Sequence, residues 1–135
     1  SGKLDLINID DDVLLITDYK TGKPLNNFST RDQAKIIKAW RHKTQLIFYA
    51  LMAKESGRFK SATTIKTQML YVEAESPKEL SLGFNPDSES LERLRSLTQA
   101  VWRHVSQLSF PNTNSYSPDA QGIADFENDL LSGKV

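Results

Sequence analysis

The chain has 135 residues, no cysteine, and 17 Lys plus Arg against 17 Asp plus Glu, so its formal net charge is zero. Without cysteine, this chain can form no disulfide, no thiolate zinc site and no iron–sulfur cluster, and it suits a reducing cytoplasmic location. No apolar run approaches the ~20 residues that span a bilayer, so no membrane partner is expected. Bulk charge selects no partner, although a local basic groove can still bind nucleic acid.

Two strands are predicted at the start of the chain. Apolar residues over 4–9 and 13–19 flank three aspartates at 10–12, which are typical of a solvated turn. The second strand is apolar on both faces, as central strands are. The chain opens almost inside the first strand, so we expect it to be part of a longer protein.

A helix is predicted next, because the spacing of the apolar residues changes after residue 28. Ser29 or Thr30 is expected to cap it, and Gly57 marks its end. The predicted apolar stripe consists of Ile36, Ile37, Trp40, Ile47, Phe48 and Leu51. His42 is expected on a solvated face of this helix, with contact to phosphates as the alternative.

The second half of the chain predicts a third strand over residues 63–74 and a short edge strand near residues 80–84. Asp87 or Ser88 is expected to cap a second helix that ends near residue 107. Its predicted buried side holds Leu91, Leu94, Leu97, Val101, Trp102 and Val105. Residues 109–135 are predicted to form an irregular arm with one short helix.

This layout of β-β-α-β-α predicts an α/β fold with a mixed sheet flanked by helices, in a single domain over residues 1–135.

The stretch "LLITDYKTGKP", residues 14–24, carries the first candidate chemistry. Alternation along a strand directs Asp18 and Lys20 to the same face. A hairpin folded about residues 11 and 12 places Asp5 opposite Asp18, so two carboxylates converge beside an ammonium. Such carboxylates repel unless a cation joins them, and a divalent metal with Lys20 nearby suggests phosphodiester hydrolysis. The alternative is an ordinary ion pair at a strand end, with Asp5 solvated.

Three motifs in order resemble one nuclease family. They are "GKLD" at residues 2–5, "ITDYKTGK" at 16–23 and "TQLIFYAL" at 44–51. Each is weak alone, but together they resemble the RecB-type nuclease domains of the PD-(D/E)XK superfamily, which are attached to helicases and recombination enzymes. The resemblance implies a restriction-endonuclease-like core, and it covers about the first half of the chain.

The resemblance also implies a function and a set of site residues. The function would be exonuclease-type cleavage of DNA with Mg²⁺ or Mn²⁺, in repair or recombination and beside a helicase domain or subunit. Asp5 and Asp18 would be the metal ligands, together with the backbone carbonyl of Tyr19. Lys20 would be the catalytic lysine. Gln45 and Tyr49 would form a helical motif near the metal or the DNA. For Gln45 and Tyr49, the alternative is that they only border the core.

The sequence also departs from the family pattern. Relatives have a helix and further acidic or histidine residues before the first motif, which do not occur in these 135 residues. The fragment is therefore expected to lack a metal ligand, and to expose an apolar face through which two copies pair. A DNA- or protein-binding module that does not cut is the alternative function.

Overall fold

The computed structural model describes residues 5–135. Gly2 of the first motif and Leu4 of the first predicted strand lie outside the described residues. The elements in chain order are β1 (Leu6–Asp10), β2 (Val13–Lys20), α1 (Gln33–Glu55), β3 (Thr64–Tyr71), β4 (Ser81–Phe84), α2 (Ser88–Ser106) and α3 (Ala120–Ser132). In this part of the chain, no helix combines the length and the apolar character that crossing a membrane requires.

The chain divides into two compact units, one ending at Leu91 and the other running from Glu92 to Val135. The first contains the four strands, α1 and the beginning of α2. The second contains the rest of α2 and α3. That residues 1–135 form a single domain stays a prediction.

The sheet of the first unit has the strand order β1-β2-β3-β4, so the apolar strand β2 is interior, as predicted. β1 and β2 pair antiparallel with Leu6 opposite Thr17, the register expected for a hairpin about residues 11 and 12. β2 and β3 are parallel, and β3 and β4 are antiparallel. The predicted mixed sheet and the short edge strand are therefore confirmed.

Asp11 and Asp12 form the turn of this hairpin, between Asp10 of β1 and Val13 of β2. Asp11 has φ 51°, a left-handed conformation that aspartate tolerates better than most residues. The backbone carbonyl of Asp12 accepts hydrogen bonds from the amides of Thr63 and Thr64, at the start of β3. The turn thus also fixes where the parallel strand begins.

α1 connects β2 to β3 and is the crossover that a parallel pair needs. Its N-cap is Asp32, whose side chain accepts a hydrogen bond from the amide of Ala34, so the predicted cap at Ser29 or Thr30 is wrong. Thr30 instead accepts from the amide of Asp32 through its hydroxyl, which shapes the turn before the helix. The helix runs unbroken to Glu55, with Ser56 as its C-cap.

The core of the first unit lies between α1 and one face of the sheet. Leu14 and Ile16 of β2 pack with Tyr49 and Ala53 of the helix. A neighbouring cluster joins Leu25, Ala39, Leu46, Met69 and Tyr71.

The helix face that packs on the sheet therefore differs from the predicted stripe. Ile37 and Trp40 are each 37% exposed, whereas the alanines at 39, 50 and 53 are buried. Small side chains let the helix backbone approach the strands closely. Bulky residues at helical spacing predicted the helix correctly but assigned part of the wrong face to the core.

In the second unit, α3 is longer than the short helix predicted. Asp119 caps it by accepting from the amide of Gly122, and Gly133 ends it at φ 71°. A Cβ atom at position 122 would lie 1.9 Å from the carbonyl oxygen of Ser117, so only glycine fits this close approach. Tyr116 packs edge-on against Phe126.

The stripe predicted for α2 is only partly buried. Asp87 caps the helix, since its carboxylate accepts from the amide of Ser90, and Leu91 is buried as expected. Val101, Trp102 and Val105 are exposed, Trp102 by 69%, so their predicted place in a core is wrong. Periodicity identifies an apolar face, but burial also requires a partner element that covers it.

Leu46→Ala is expected to lower the free energy of unfolding by about 2–5 kcal/mol, because it removes a fully buried side chain from between α1 and the sheet. Ile37→Ala on the same helix is the matched control and should cost about 1 kcal/mol or less. Urea unfolding followed by circular dichroism measures both. Equal losses would contradict this assignment of the core face.

Candidate active site

The site lies where β2 ends against α1. Leu14, Ile16, Asp18 and Lys20 alternate onto the face of β2 that packs on the helix, and the first two belong to the core. The apolar residues fix the register of the strand, since a slip of one residue would turn all four away from the helix. Asp18 and Lys20 thus lie on the same face of β2 as the core residues, at the end of the strand.

Asp18 is a buried carboxylate, with its residue only 2% exposed. Lys20 Nζ lies 2.6 Å from Asp18 Oδ2 and forms an ion pair with it. The two groups are close but are not aligned as a hydrogen bond. Oδ2 is the single buried side-chain nitrogen or oxygen in residues 5–135 that has no hydrogen-bond partner. A buried anionic oxygen with a free lone pair is one that a cation could use.

Gln45 of α1 joins this pair to the helix. Its Oε1 accepts a hydrogen bond from Lys20 Nζ at 2.8 Å, and its Nε2 donates to Asp18 Oδ1 at 3.3 Å. The same Nε2 donates to the hydroxyl of Tyr49 at 2.7 Å, one helical turn further on. Gln45 therefore fixes the orientation of both charged groups. Tyr49 is also part of the core, so it borders the core and contacts the site at once.

Asp5 approaches the site from the exposed side of the hairpin. Its Oδ2 accepts a hydrogen bond from the backbone amide of Tyr19 at 3.0 Å. Burial chiefly raises the pKa of Tyr49, and the negative charges of Asp18 and Asp5 raise it further. Both carboxylates thus act on one phenol.

The carboxylates of Asp18 and Asp5 are ligands of the kind that a divalent cation such as Mg²⁺ takes, and that they bind one with the Tyr19 carbonyl stays a prediction. Mg²⁺ in such sites takes one or two carboxylates, and Asp18 and Asp5 offer two, with the Tyr19 carbonyl as a neutral oxygen. No group of three or more His, Asp or Glu side chains among residues 5–135 is arranged to hold a metal. The candidate ligand set is therefore small, and most ligands of a bound ion would be waters or substrate oxygens.

The structure adds two residues that the sequence reasoning missed as neighbours of the site, His42 and Tyr71. Tyr71 lies directly across the parallel ladder from Lys20. His42 Nδ1 is 3.2 Å from the Tyr71 hydroxyl, and the two rings pack at 6.2 Å with a tilt of 31°. The prediction that His42 lies on a solvated helix face is wrong, because His42 is three residues before Gln45 and shares its sheet-facing side.

The charge state of His42 follows from this placement. Burial, and next the positive charge of Lys20, lower the pKa of His42 from 6.5 to about 4. Burial also raises the pKa of Tyr71. Both side chains are therefore neutral at pH 7, and Lys20 carries the positive charge beside Asp18.

Comparison with known proteins gave one match. A family model described as the PD-(D/E)XK nuclease superfamily matches residues 1–120. No curated protein and no solved structure matched the chain. The family match extends well beyond the three motifs and includes the sheet, α1 and α2, and the predicted restriction-endonuclease-like α/β fold is confirmed.

His42 is expected to make the fold less stable in mild acid. In the unfolded chain His42 binds a proton near pH 6.5, whereas in the folded chain it does so only near pH 4. The stability that comes from keeping His42 neutral is therefore complete above pH 6.5 and is lost as the pH falls towards 4. Urea unfolding of wild type and His42→Gln at pH 7 and pH 5 measures this. The wild type should lose more free energy of unfolding than the variant, and an equal loss would contradict the assignment.

Proposed function

This chain belongs to the PD-(D/E)XK nuclease superfamily, and we propose that it is a metal-dependent nuclease domain of the RecB type that hydrolyses DNA phosphodiesters. One observation carries the proposal. The buried Asp18 carboxylate lies at the end of a central strand with a lysine and a glutamine around it, and one of its oxygens has no hydrogen bond. A buried charge is costly, and the fold retains it at the point where the family motif occurs.

In this proposal Asp18 and Asp5 hold Mg²⁺ or Mn²⁺ with the backbone carbonyl of Tyr19. When bound, the ion neutralises charge on the phosphodiester and makes water more acidic. Asp18 is buried on a core strand, and Gln45 donates a hydrogen bond to its second oxygen, so its position is set before an ion binds. Asp5 is exposed and is held by one backbone hydrogen bond, so it can adjust to the ion.

Lys20 has the second role, which is to stabilise the negative charge that develops on the phosphate during cleavage. Its ammonium has three hydrogens. Gln45 accepts one of these hydrogens and the Asp18 carboxylate lies against the ammonium. The side chain is 22% exposed, so at least one donor remains for a phosphate oxygen. Gln45 and Tyr49 keep the ammonium in position without contacting the substrate.

The proposal has four further parts. They are DNA as the substrate, exonuclease-type action, a role in repair or recombination, and a helicase domain or subunit as the partner. They depend on the likeness of the three motifs to RecB-type domains. The pairing of two copies of the chain stays a prediction.

A binding module that does not cut is the second candidate. The observation that favours it is the size of the ligand set, since the described residues offer two carboxylates and no third acidic or histidine ligand. Such a module would bind DNA or a protein partner and leave phosphodiesters intact.

Asp18→Asn is expected to abolish binding of Mn²⁺, because it removes the buried anionic ligand while keeping the shape of the side chain. Isothermal titration calorimetry measures the binding. Asp10→Asn, an exposed aspartate beside the hairpin turn, is the matched control and should bind as wild type does. Unchanged binding in Asp18→Asn would refute the metal site, and retained cleavage of labelled DNA would refute the nuclease proposal.

Lys20→Met is expected to keep Mn²⁺ binding but to lower kcat for DNA cleavage by about 100-fold or more, since it removes charge stabilisation and leaves both carboxylates. Lys23→Met, in the exposed loop after β2, controls for the loss of one positive charge. Binding of the ion without cleavage in the wild type itself would favour the binding module.

A further inference from the structure

The Tyr71 hydroxyl determines which nitrogen of His42 carries a proton. Tyr71 is fully buried. Burial raises the pKa of this phenol, and the backbone of Leu25 offsets part of that rise. The hydroxyl proton then has one acceptor among the described residues, His42 Nδ1 at 3.2 Å. Since a buried hydroxyl proton without an acceptor is costly, Tyr71 donates and Nδ1 is unprotonated.

Nε2 of His42 therefore carries the ring proton, because a neutral imidazole has one N–H. Nε2 makes no hydrogen bond to any side chain or backbone group of residues 5–135. It is not among the buried atoms that lack a partner in this part of the chain, so it reaches solvent. An N–H donor that is fixed in orientation and left free is available to a ligand.

The charges around His42 indicate which ligand it would take. Lys20 and Lys38 are the positive charges that act on the ring most strongly, and the ammonium of Lys38 lies 6.0 Å from the centre of the Tyr71 ring. The carboxylate of Asp18 acts on the ring in the opposite sense but less strongly than either ammonium. A neutral donor near two ammonium groups suits an anion that bears several oxygen acceptors. A backbone phosphate is such an anion.

We propose that His42 is a substrate-binding residue, whose Nε2–H donates to a phosphate oxygen of DNA beside Lys20, and that Tyr71 is the positioning residue that fixes this tautomer. The inference rests on the proposed nuclease function. His42 has neither an acid nor a base role in it. Its one unprotonated nitrogen, Nδ1, accepts a hydrogen bond from Tyr71, and the ring is neutral at pH 7. Its contribution is to binding, so its loss should raise KM and leave kcat nearly unchanged.

The test compares DNA affinity among variants in the full chain. Fluorescence anisotropy in EDTA, with a labelled single strand and with its duplex, measures affinity without cleavage. His42→Leu should weaken binding about tenfold, as loss of one hydrogen bond to a charged group does. His42→Gln should restore most of the affinity, because glutamine carries an amide donor. His104→Gln, in the second unit, is the matched control and should bind as wild type does.

Nitrogen NMR of the histidine rings gives a readout that does not depend on DNA. At pH 7 the wild type should show the proton on Nε2 of His42. Tyr71→Phe should give a mixture of tautomers and an affinity between those of wild type and His42→Leu. Thermal unfolding identifies any variant that fails to fold.

The outcomes separate this inference from the proposal on which it rests. If the wild type binds DNA and His42→Leu binds equally well, or if His42→Gln is as weak as His42→Leu, the donor role is wrong and the nuclease proposal stands. A proton on Nδ1 in the wild type would overturn the tautomer argument in the same way. If the wild type neither binds DNA nor cleaves it with Mn²⁺, both fail together.

Discussion

The burial of the Asp18 carboxylate is the constraint on which the rest of the site depends. Removing a carboxylate from water costs several kcal/mol unless nearby groups compensate, and here Lys20 and Gln45 do so. That compensation depends on the register of β2, which its apolar residues set, and on a rotation of α1 that directs Gln45 towards the strand. An ion pair of this kind adds little net stability. What it contributes is a defined direction for two charged groups at the carboxyl end of β2.

The parallel pairing of β2 with β3 adds residues of the neighbouring strand to the site. It sets Tyr71 against Lys20, and the helix that makes the parallel connection carries His42 above the same strands. The fold thereby combines the three kinds of group that phosphodiester chemistry uses. Carboxylates can hold a cation, an ammonium can stabilise developing charge, and neutral donors can bind the phosphate without adding charge.

The sequence was informative where local rules act alone. The hairpin register follows from its turn, the place of Asp18 and Lys20 on one strand face follows from alternation, and the facing of Gln45 and Tyr49 follows from their helical spacing. These rules, with the three motifs, were enough to predict the mixed sheet and the family. The caps were less predictable, since Thr30 and Asp32 are both good candidates and only the path of the loop selected Asp32.

The sequence by itself thus determined the order of the elements, the family and which polar residues share a face. Only the tertiary structure decided which apolar residues form the core, as Trp102 and Trp40 show, because burial depends on what packs against a face. It also decided the environment of His42. The pKa of His42 depends on its burial and on Lys20, and the role of its ring nitrogens depends on Tyr71. Lys20 and Tyr71 are distant from His42 in sequence and become its neighbours only when α1 packs across the two parallel strands.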